Sequence, residues 1–290
     1  MAVHLAMRIT FLLLLTHDLA NATPRMAKPS CISSCGNLSI PYPFGIEPDC
    51  YMDPWFEIYC ERIGNDSAQS FLSRNGWEVR QININDGTVQ VQMPIIYWRY
   101  CNVRPSGLEG NMSMSLKGSP FHFSGSYNTF ISVGCDNFAT VSGIAPTVFG
   151  CISDCNINMD MREANISNCT GSMCCESTNV PSNLQEFAVD FRSISESISE
   201  SRERSGNCKF AFLVVKDWLS NNSVKYLDDV PVVLEWAILN QTKNSLKMFR
   251  SLKYRHDVIC NSSSNTFRCA CASGFEGNPY LSTGCEGTHL

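Results

Sequence analysis

The fold is decided most clearly by residues 82–93, which read ININDGTVQVQM. Isoleucine alternates with asparagine at the start of this stretch, and valine or methionine alternates with glutamine at its end. Such alternation places the apolar side chains on one face of a strand. The intervening Asn85-Asp86-Gly87 is a turn signal, because these residues readily adopt the backbone angles of a tight hairpin. The stretch therefore predicts a β-hairpin.

Apolar runs elsewhere predict further strands. They lie at 121–123, 130–133, 138–141, 187–191, 210–215 and 230–238. Helical spacing is also present at Phe187, Phe191, Ile194 and Ile198, but residues 193–205 are dominated by serine and charge, which favours a strand followed by a loop. A short helical turn is expected at 216–220. The chain is thus predicted to be mainly β.

The cysteine content indicates a disulfide-rich chain. Sixteen cysteines in 290 residues far exceed ordinary usage, and in an oxidising compartment each disulfide contributes about 2 to 4 kcal/mol. Zinc is disfavoured, because the two C-x3-C pairs lack partners at the spacings of zinc fingers. We predict no metal site and eight disulfides of unassigned pairing. The cysteines are Cys31, Cys35, Cys50, Cys60, Cys101, Cys135, Cys151, Cys155, Cys169, Cys174, Cys175, Cys208, Cys260, Cys269, Cys271 and Cys285.

The N-terminus has the features of a secretory signal peptide at residues 1–22. His4 and Arg8 precede an apolar run at 9–15, and Ala20-Asn21-Ala22 gives an A-x-A cleavage signature. The apolar run is shorter than the roughly 20 residues that cross a bilayer. We therefore expect cleavage after Ala22 and secretion to the extracellular space.

Glycosylation sequons agree with secretion. An N-linked glycan is bulky and hydrophilic, so each used sequon marks a surface loop. The sequon at Asn21 would leave with the signal peptide. The predicted N-glycosylation sites are Asn37, Asn65, Asn111, Asn165, Asn168, Asn221, Asn240 and Asn261.

Charge and motifs exclude several classes of function. The net charge of −5 argues against a nucleic-acid partner, because phosphate binding needs a basic stripe. The sequence has no G-x-S-x-G or H-E-x-x-H motif, and none of the glycine-rich, H-R-D and D-F-G motifs of a kinase. Paired carboxylates of a glycoside hydrolase leave no local motif, and that class is disfavoured. We predict that the chain is not an enzyme.

Several motifs resemble the ectodomain of plant wall-associated receptor kinases. CISSCGNLSIPYPFGI at 31–46, followed by FEIYC at 56–60, resembles the galacturonan-binding region of that family. Four further motifs resemble the rest of the ectodomain: GCISDC from residue 150, MCCE from 173, CKFAFLVVKDWL from 208 and VPVVLEWAI from 230. FRCACASGFEGNPYLSTGC at 267–285 resembles an EGF-like repeat.

The resemblance implies two β-rich extracellular domains and a tail. These are a galacturonan-binding-like cysteine-rich domain at 31–150, a wall-associated kinase C-terminal-like cysteine-rich domain at 151–255 and a partial EGF-like segment at 256–290. The tail has four of the six EGF cysteines, so Cys271 could pair with Cys285, leaving Cys260 and Cys269 to pair with each other or elsewhere. The chain is expected to be a truncated receptor product or a free-standing soluble relative, located in the cell wall or, within a longer product, on the outer face of the plasma membrane.

The resemblance also implies binding of cell-wall pectin, as homogalacturonan or oligogalacturonides. Such a polyanion needs cations along a groove and flat rings for its sugars, and arginine meets carboxylates bidentately. The candidate ligand-binding residues are Tyr42, Phe44, Arg74, Trp77, Arg80, Trp98, Arg99 and Arg104. Arg99, between Trp98 and Tyr100, is preferred. Arg62, Lys117, Trp55, Tyr97 and Tyr100 are further candidates by the same reasoning.

Alternatives stay open at this point. IPYPFGI can be a packed turn, and alternation in IIYWRYC turns half of its side chains to the core. Residues 31–150 hold ten acidic against six basic residues, so either the cations cluster on one face or calcium bridges pectate to protein carboxylates. No other cofactor is expected. The alternative function is a protein-binding receptor-like or decoy module of cell-surface signalling, whose partners would be receptor kinases or secreted proteins.

Overall fold

The hairpin predicted at residues 82–93 is present in the computed structural model, as strands Val79–Asn83 and Thr88–Pro94. The side chain of Asn83 closes the turn. Its NH2 group donates to the carboxylate of Asp86 at 2.6 Å, and its side-chain oxygen accepts from the backbone N–H of Asp86 at 3.0 Å. Gly87 has a φ of 63°, in the left-handed region that glycine adopts without strain. The prediction of this hairpin is confirmed.

The structure describes residues 24–64, 67–98, 101, 113–142, 149–155, 169–194, 208–220, 229–263 and 265–288. Strands dominate these residues, which confirms the mainly β prediction. The strands are β1 (Ser34–Cys35), β2 (Leu38–Ser39), β3 (Ile58–Ile63), β4 (Ser67–Leu72), β5 (Val79–Asn83), β6 (Thr88–Pro94), β7 (Ile96–Tyr97), β8 (Met114–Ser115), β9 (Phe121–Phe123), β10 (Asn128–Val133), β11 (Asn137–Ser142), β12 (Phe149–Ser153), β13 (Cys174–Ser177), β14 (Glu186–Arg192), β15 (Phe210–Val215), β16 (Asp229–Trp236), β17 (Ile238–Leu239), β18 (Val258–Ser262), β19 (Thr266–Cys271), β20 (Phe275–Gly277) and β21 (Cys285–Gly287). An α-helix, α1, spans Lys243–Leu252, and 3-10 turns lie at Pro54–Phe56 and Trp218–Ser220.

Three four-stranded sheets form the centre of the described part of the chain. Their strand orders are β13-β10-β15-β7, β12-β11-β14-β8 and β5-β6-β16-β9. Each sheet combines strands from residues 31–150 with strands from 151–255, so these two stretches pack as one interleaved structure. The domain boundaries at 150 and 255 stay predictions about the sequence, because strand pairing does not show where a module begins.

The pairing of β6 with β16 follows from their matching alternation. Every second residue of each strand is buried, and in register Val89 faces Leu234, while Val91 faces Val232. Cross-strand apolar pairs of this kind stabilise a sheet. Strand β10, by contrast, is buried at all six positions, because it lies between β13 and β15 and is covered on both faces.

An aromatic cluster joins the N-terminal stretch to the sheet of β16. The ring of Phe44 packs edge-on against Phe56 at 5.1 Å and against Trp236 at 5.7 Å between centroids. Phe121 of β9 completes the cluster, 5.5 Å from Phe56. All four side chains are at most 1% exposed. Edge-to-face aromatic pairs add about 0.5 to 1.5 kcal/mol beyond their burial.

All sixteen cysteines are paired in eight disulfides, as predicted. The bridges are Cys31–Cys50, Cys35–Cys60, Cys101–Cys208, Cys135–Cys155, Cys151–Cys175, Cys169–Cys174, Cys260–Cys269 and Cys271–Cys285. The last two are the pairings that the partial EGF-like tail allows. The bridge with the widest span joins residues 107 apart, Cys101 and Cys208.

The C-terminal tail is fastened to the N-terminal stretch by Asn278, which is fully buried. Its amide donates hydrogen bonds to the backbone carbonyls of Met26 at 2.8 Å and Tyr42 at 2.6 Å. Its side-chain oxygen accepts from the Tyr280 N–H at 3.0 Å. The Tyr280 hydroxyl in turn bonds the backbone of Cys269 at 2.7 and 2.9 Å. We call these contacts of Asn278 the latch.

Helix α1 was not predicted. It begins after Thr242, whose hydroxyl accepts from the N–H of Ser245 while the Ser245 hydroxyl accepts from the N–H of Thr242, a reciprocal capping box. The ring of Phe249 packs 5.0 Å from Phe267 of β19, which fixes the helix to the tail. None of the described helices is long and apolar enough to cross a bilayer.

Candidate functional site

Strands β3 and β4 form a two-stranded ribbon with an aromatic outer face. Tyr59 lies opposite Phe71 in the register, with ring centroids 6.5 Å apart, and Tyr59 is 56% exposed. The neighbouring pair, Ile58 and Leu72, points the other way and is buried. This alternation follows from the pleat of the strands.

A shallow groove of about 280 Å³ runs beside these rings. Its walls are Tyr59, Glu61, Phe71, Leu72, Ser73 and Gly76. The groove therefore offers ring faces, a carboxylate and a hydroxyl to a ligand. A tight turn closes one end, in which the Gly76 N–H donates to the Leu72 carbonyl at 2.8 Å.

An arginine and a tryptophan meet next to that turn. Arg74 follows Ser73 of the groove, and its guanidinium carbon lies 4.7 Å from the ring centroid of Trp55, a cation–π contact. Trp55 is held in its 3-10 turn by Asp53, whose carboxylate accepts the Trp55 N–H at 3.0 Å. Arg74 is exposed, and among the described residues no carboxylate lies within 4.0 Å of its guanidinium. Its charge is thus available to an anion.

Two of the predicted ligand-binding residues lie in the core. Phe44 is 1% exposed within the aromatic cluster, and Tyr42 is 5% exposed, with its carbonyl bonded to Asn278. Burial raises the pKa of the Tyr42 hydroxyl. The motif IPYPFGI is therefore the packed turn that was the alternative, and the buried rings of Tyr42 and Phe44 do not present a face to a sugar polymer.

The other predicted residues are spread out. Trp77 is half-buried against Phe123 at 6.2 Å between centroids, and Arg80 is ion-paired with Glu78 at 2.9 Å. Trp98 is half-buried, with the Lys209 ammonium 5.1 Å from its ring centroid. Arg99 and Arg104, and with them Tyr100, lie outside the described residues. Among the predicted ligand-binding residues that the structure describes, Arg74 lies in the turn at the end of the groove.

Sequence reasoning missed the groove aromatics Tyr59 and Phe71. The signal for Tyr59 was present in FEIYC, where it stands between an apolar residue and a cysteine and so faces away from both. No signal distinguished Phe71 from a core residue. Trp55 was among the further candidates, and its contact with Arg74 joins two candidates that are 19 positions apart in the sequence.

A polar cluster links β9 to β16 away from the groove. The Glu235 carboxylate lies 3.4 Å from the His122 ring nitrogen and accepts a hydrogen bond from the Ser124 hydroxyl. The bond with His122, outweighing burial, lowers the pKa of Glu235 to about 2. Ser124 is fully buried and also accepts backbone N–H bonds from residues 126 and 127. The cluster is therefore a structural clamp between strands.

No group of three or more metal-ligating side chains occurs among the residues that the structure describes. Of the predicted glycosylation sites, Asn37 and Asn261 are exposed and Asn240 is half-buried. The remaining predicted sites, Asn65, Asn111, Asn165, Asn168 and Asn221, lie outside the described residues.

Comparison with known proteins identifies the region that carries the groove. Residues 31–93 match the family described as wall-associated receptor kinase galacturonan-binding. This region contains β1 to β6, and with them the ribbon, Trp55 and Arg74. Since the family is one of binding domains and not of catalytic domains, the match agrees with the prediction that the chain is not an enzyme. No solved structure matches the chain.

Similar curated proteins come from Arabidopsis thaliana. Wall-associated receptor kinase-like 10 is 29% identical over 95% of this chain and 40% of its own length. Wall-associated receptor kinase 4 is 31% identical over 89% of this chain and 34% of its own, and wall-associated receptor kinase-like 6 is 29% identical over 88% and 44%. The chain thus spans less than half of the relatives that it matches. The resemblance to wall-associated receptor kinases is confirmed: residues 31–93 match the galacturonan-binding family, and the chain is similar to these receptor kinases over nearly its whole length.

Proposed function

We propose that this chain binds pectin in the plant cell wall, as de-esterified homogalacturonan or the oligogalacturonides released from it. The observation that carries the proposal is the match of residues 31–93 to the galacturonan-binding family. Eight disulfides agree with an extracellular location. Secretion through the predicted signal peptide brings the chain to the wall, or to the outer face of the plasma membrane in a longer product.

The chemistry of the groove supports this proposal. A galacturonate unit has a carboxylate and a ring whose C–H faces are apolar. Arg74 can meet the carboxylate with two parallel N–H bonds, and the exposed ring of Tyr59 offers a flat surface on the groove wall. Trp55 holds the guanidinium in place, so less side-chain freedom is lost when the anion binds.

Single contacts of this kind are weak. An exposed ion pair contributes about 0 to 1 kcal/mol, so useful affinity requires several contacts along one polymer acting together. Exposed charges are also screened over about 10 Å at 0.1 M salt. Retention on pectate should therefore weaken as salt rises.

Calcium is part of the proposal as a bridge. Residues 31–93 contain eight acidic residues and three arginines, which repels a polyanion except close to a cation. Glu61 is exposed on the groove wall, and a calcium ion shared between its carboxylate and a galacturonate would remove that repulsion, since calcium prefers oxygen ligands. Binding that falls on addition of a chelator supports the bridge.

The test is calorimetric titration of the full chain with de-esterified oligogalacturonides, with and without chelator. We expect Arg74→Ala to weaken binding up to about fivefold, the equivalent of one exposed charge pair. Arg192→Ala is the matched control, because Arg192 is exposed but ion-paired with Asp190 outside the groove region. Arg99→Ala belongs in the same series as the preferred cation of the sequence.

Fully methyl-esterified oligomers, which lack the carboxylate charges, distinguish recognition of charge from nonspecific binding. Equal binding of esterified and de-esterified oligomers would refute the role of Arg74. A chain that is retained on neither polymer would refute pectin binding altogether and would favour the alternative, a protein-binding receptor-like or decoy module.

A further inference from the structure

The most basic stretch of the chain lies outside the galacturonan-binding region. Residues 243–256 read KNSLKMFRSLKYRH, with five lysines or arginines, a histidine and no acidic residue, in a chain of net charge −5. Helix α1 occupies most of this stretch. The groove and the sheets do not explain why so many positive charges are concentrated in this stretch.

The packing of α1 leaves Lys247 and Arg250 exposed to solvent. Leu252 is buried and Phe249 packs on Phe267 of β19, which defines the inner side of the helix. Lys247 and Arg250, which are three positions apart on the helix, are exposed. Residues three and four positions apart share a helix face, so these two side chains form a stripe.

An exposed aromatic ring extends the stripe. Tyr254 is 84% exposed, the highest value among the large apolar side chains of the described residues. Lys253, next to it, is exposed as well, whereas Arg255 is ion-paired with Asp257. We call Lys247, Arg250, Lys253 and Tyr254 the basic face.

The cations of the basic face have no carboxylate counterion among the residues that the structure describes. Among the described residues, no carboxylate oxygen lies within 4.0 Å of the charged nitrogens of Lys247, Arg250 or Lys253. Their charge is therefore free to attract an external anion.

A cleft of about 400 Å³ adjoins the basic face, between α1 and the loop at 279–282. Asn244, Lys247 and Ser251 line it from the helix, and Ser282 lines it from the loop. The cleft thus places amide and hydroxyl groups, which can bond sugar hydroxyls, beside a cation.

We propose that the basic face is a second contact surface for the same polygalacturonate chain. It combines the two things that such a polymer requires, cations for its carboxylates and a flat ring for its sugars. At 1.5 Å per residue, Lys247 and Lys253 are about 9 Å apart along the axis, so they reach different carboxylates of one polymer. This inference rests on the proposed function and extends it to residues beyond 31–93.

The latch connects the second contact surface to the groove region. Asn278 ties the tail, on which α1 packs, to the N-terminal stretch, so the basic face and the groove are held in one body. A polymer long enough to touch both gains affinity because its second contact is intramolecular. A short oligomer gains nothing from the second contact.

The first test neutralises the stripe in the full chain. Lys247→Gln/Arg250→Gln is expected to weaken binding of long polygalacturonate by about three- to tenfold, to reduce its salt dependence, and to leave short oligomers unchanged. The control, Lys216→Gln/Arg192→Gln, makes the same change in net charge at cations outside α1, since the Lys216 ammonium donates to the Ser126 carbonyl and Arg192 is ion-paired with Asp190. Equal losses in both variants would reduce the effect to net charge and overturn the inference.

The aromatic part is tested separately. Tyr254→Ala is expected to weaken long-polymer binding about threefold, whereas Tyr127→Ala, at a tyrosine 46% exposed elsewhere, is not. Both substitutions are at the surface and should leave the melting temperature unchanged. Equal affinities for the two variants would remove the ring from the proposal.

A second experiment identifies by cross-linking which lysines contact the polymer. Carbodiimide activates polygalacturonate carboxylates, which then form amides with nearby lysine ammonium groups after loss of a proton, while the carbodiimide takes up water as a urea. Mass spectrometry of the conjugate should find Lys247 and Lys253 modified, with Lys216 as the unmodified control. Modification confined to other lysines overturns the inference.

The outcomes separate this inference from the proposed function. A chain that binds pectate, loses affinity with Arg74→Ala and is unaffected by the α1 variants refutes the second surface alone. A wild-type chain that is not retained on pectate refutes both. Binding of the basic face to phosphatidylserine vesicles without binding to polygalacturonate also overturns the inference, since it assigns the charge to a lipid surface.

Discussion

Removing the Asn278 side chain should lower the free energy of unfolding by more than a single hydrogen bond contributes, because the latch consists of three such bonds. In Asn278→Ala the chain loses two donated hydrogen bonds, to Met26 and Tyr42, and one accepted bond, from Tyr280. Each bond contributes about 1 kcal/mol net, and a buried partner left unsatisfied costs about 1 to 3 kcal/mol. Because Asn278 is fully buried, water cannot easily replace these bonds. We expect a loss of about 3 kcal/mol in the free energy of unfolding.

Urea unfolding of the oxidised chain, followed by tryptophan fluorescence, measures this loss. Ser282→Ala is the matched control, since Ser282 is an exposed residue of the same loop and its substitution should change stability by less than about 0.5 kcal/mol. If Asn278→Ala is also within 0.5 kcal/mol of wild type, the tail is not held by the latch. The inference that groove and basic face belong to one body would then lose its support.

Three further predictions concern the core, the widest disulfide and pH. Phe44→Ala should cost about 3 to 5 kcal/mol, because it opens a cavity in the aromatic cluster; a cost below about 1 kcal/mol in urea unfolding would contradict the burial of this ring. Cys101→Ser/Cys208→Ser should cost about 4 to 5 kcal/mol, since the bridge closes a loop of 107 residues, and an unchanged unfolding midpoint would argue against this pairing. The pKa of Glu235 is lowered to about 2 from its usual 4.5, so its stabilising contribution is complete above pH 4.5 and is lost as pH falls towards 2. Glu235→Gln should therefore flatten the acid limb of a plot of stability against pH, and an unchanged limb would locate the acid sensitivity elsewhere.

Strands with strong alternation were predictable from the sequence. Residues 82–93 predicted β5 and β6, and the apolar runs predicted β9, β10, β11, β14, β15 and β16 close to their observed bounds. Each of these buries alternate or successive side chains, and that burial is what a local pattern records. The ribbon of β3 and β4 was missed because most of its residues are exposed or half-buried, so they leave no alternating apolar pattern, and because the Cys35–Cys60 bridge supports it.

Helix α1 was missed for a related reason. Its ten residues are too few for a clear helical period, and its stability depends on the Thr242 cap and on packing against Phe267. Sheet order was beyond local reasoning as well, since β16 pairs with β6, more than a hundred positions earlier. Nothing in a sequence window reports contacts at that distance.

The candidate site likewise has features that the sequence could predict and features that it could not. Residue type alone selected Arg74 and Trp55, because cations and rings suit a polyanionic sugar. It could not tell that Tyr42 and Phe44 face inward, since an aromatic residue next to a proline packs equally well on either side of a turn. The contact of Arg74 with Trp55 required the three-dimensional structure.

The position of β16 between β6 and β9 limits how the binding region can be moved between proteins. A graft that transplants residues 31–93 alone would remove β16, one of the two strands that pair with β6, and would uncover Val89 and Val91. Exchanges among relatives should therefore carry Asp229–Trp236 together with the N-terminal segment. Chimeras cut in this way keep the hydrogen-bond ladder between β6 and β16 whole.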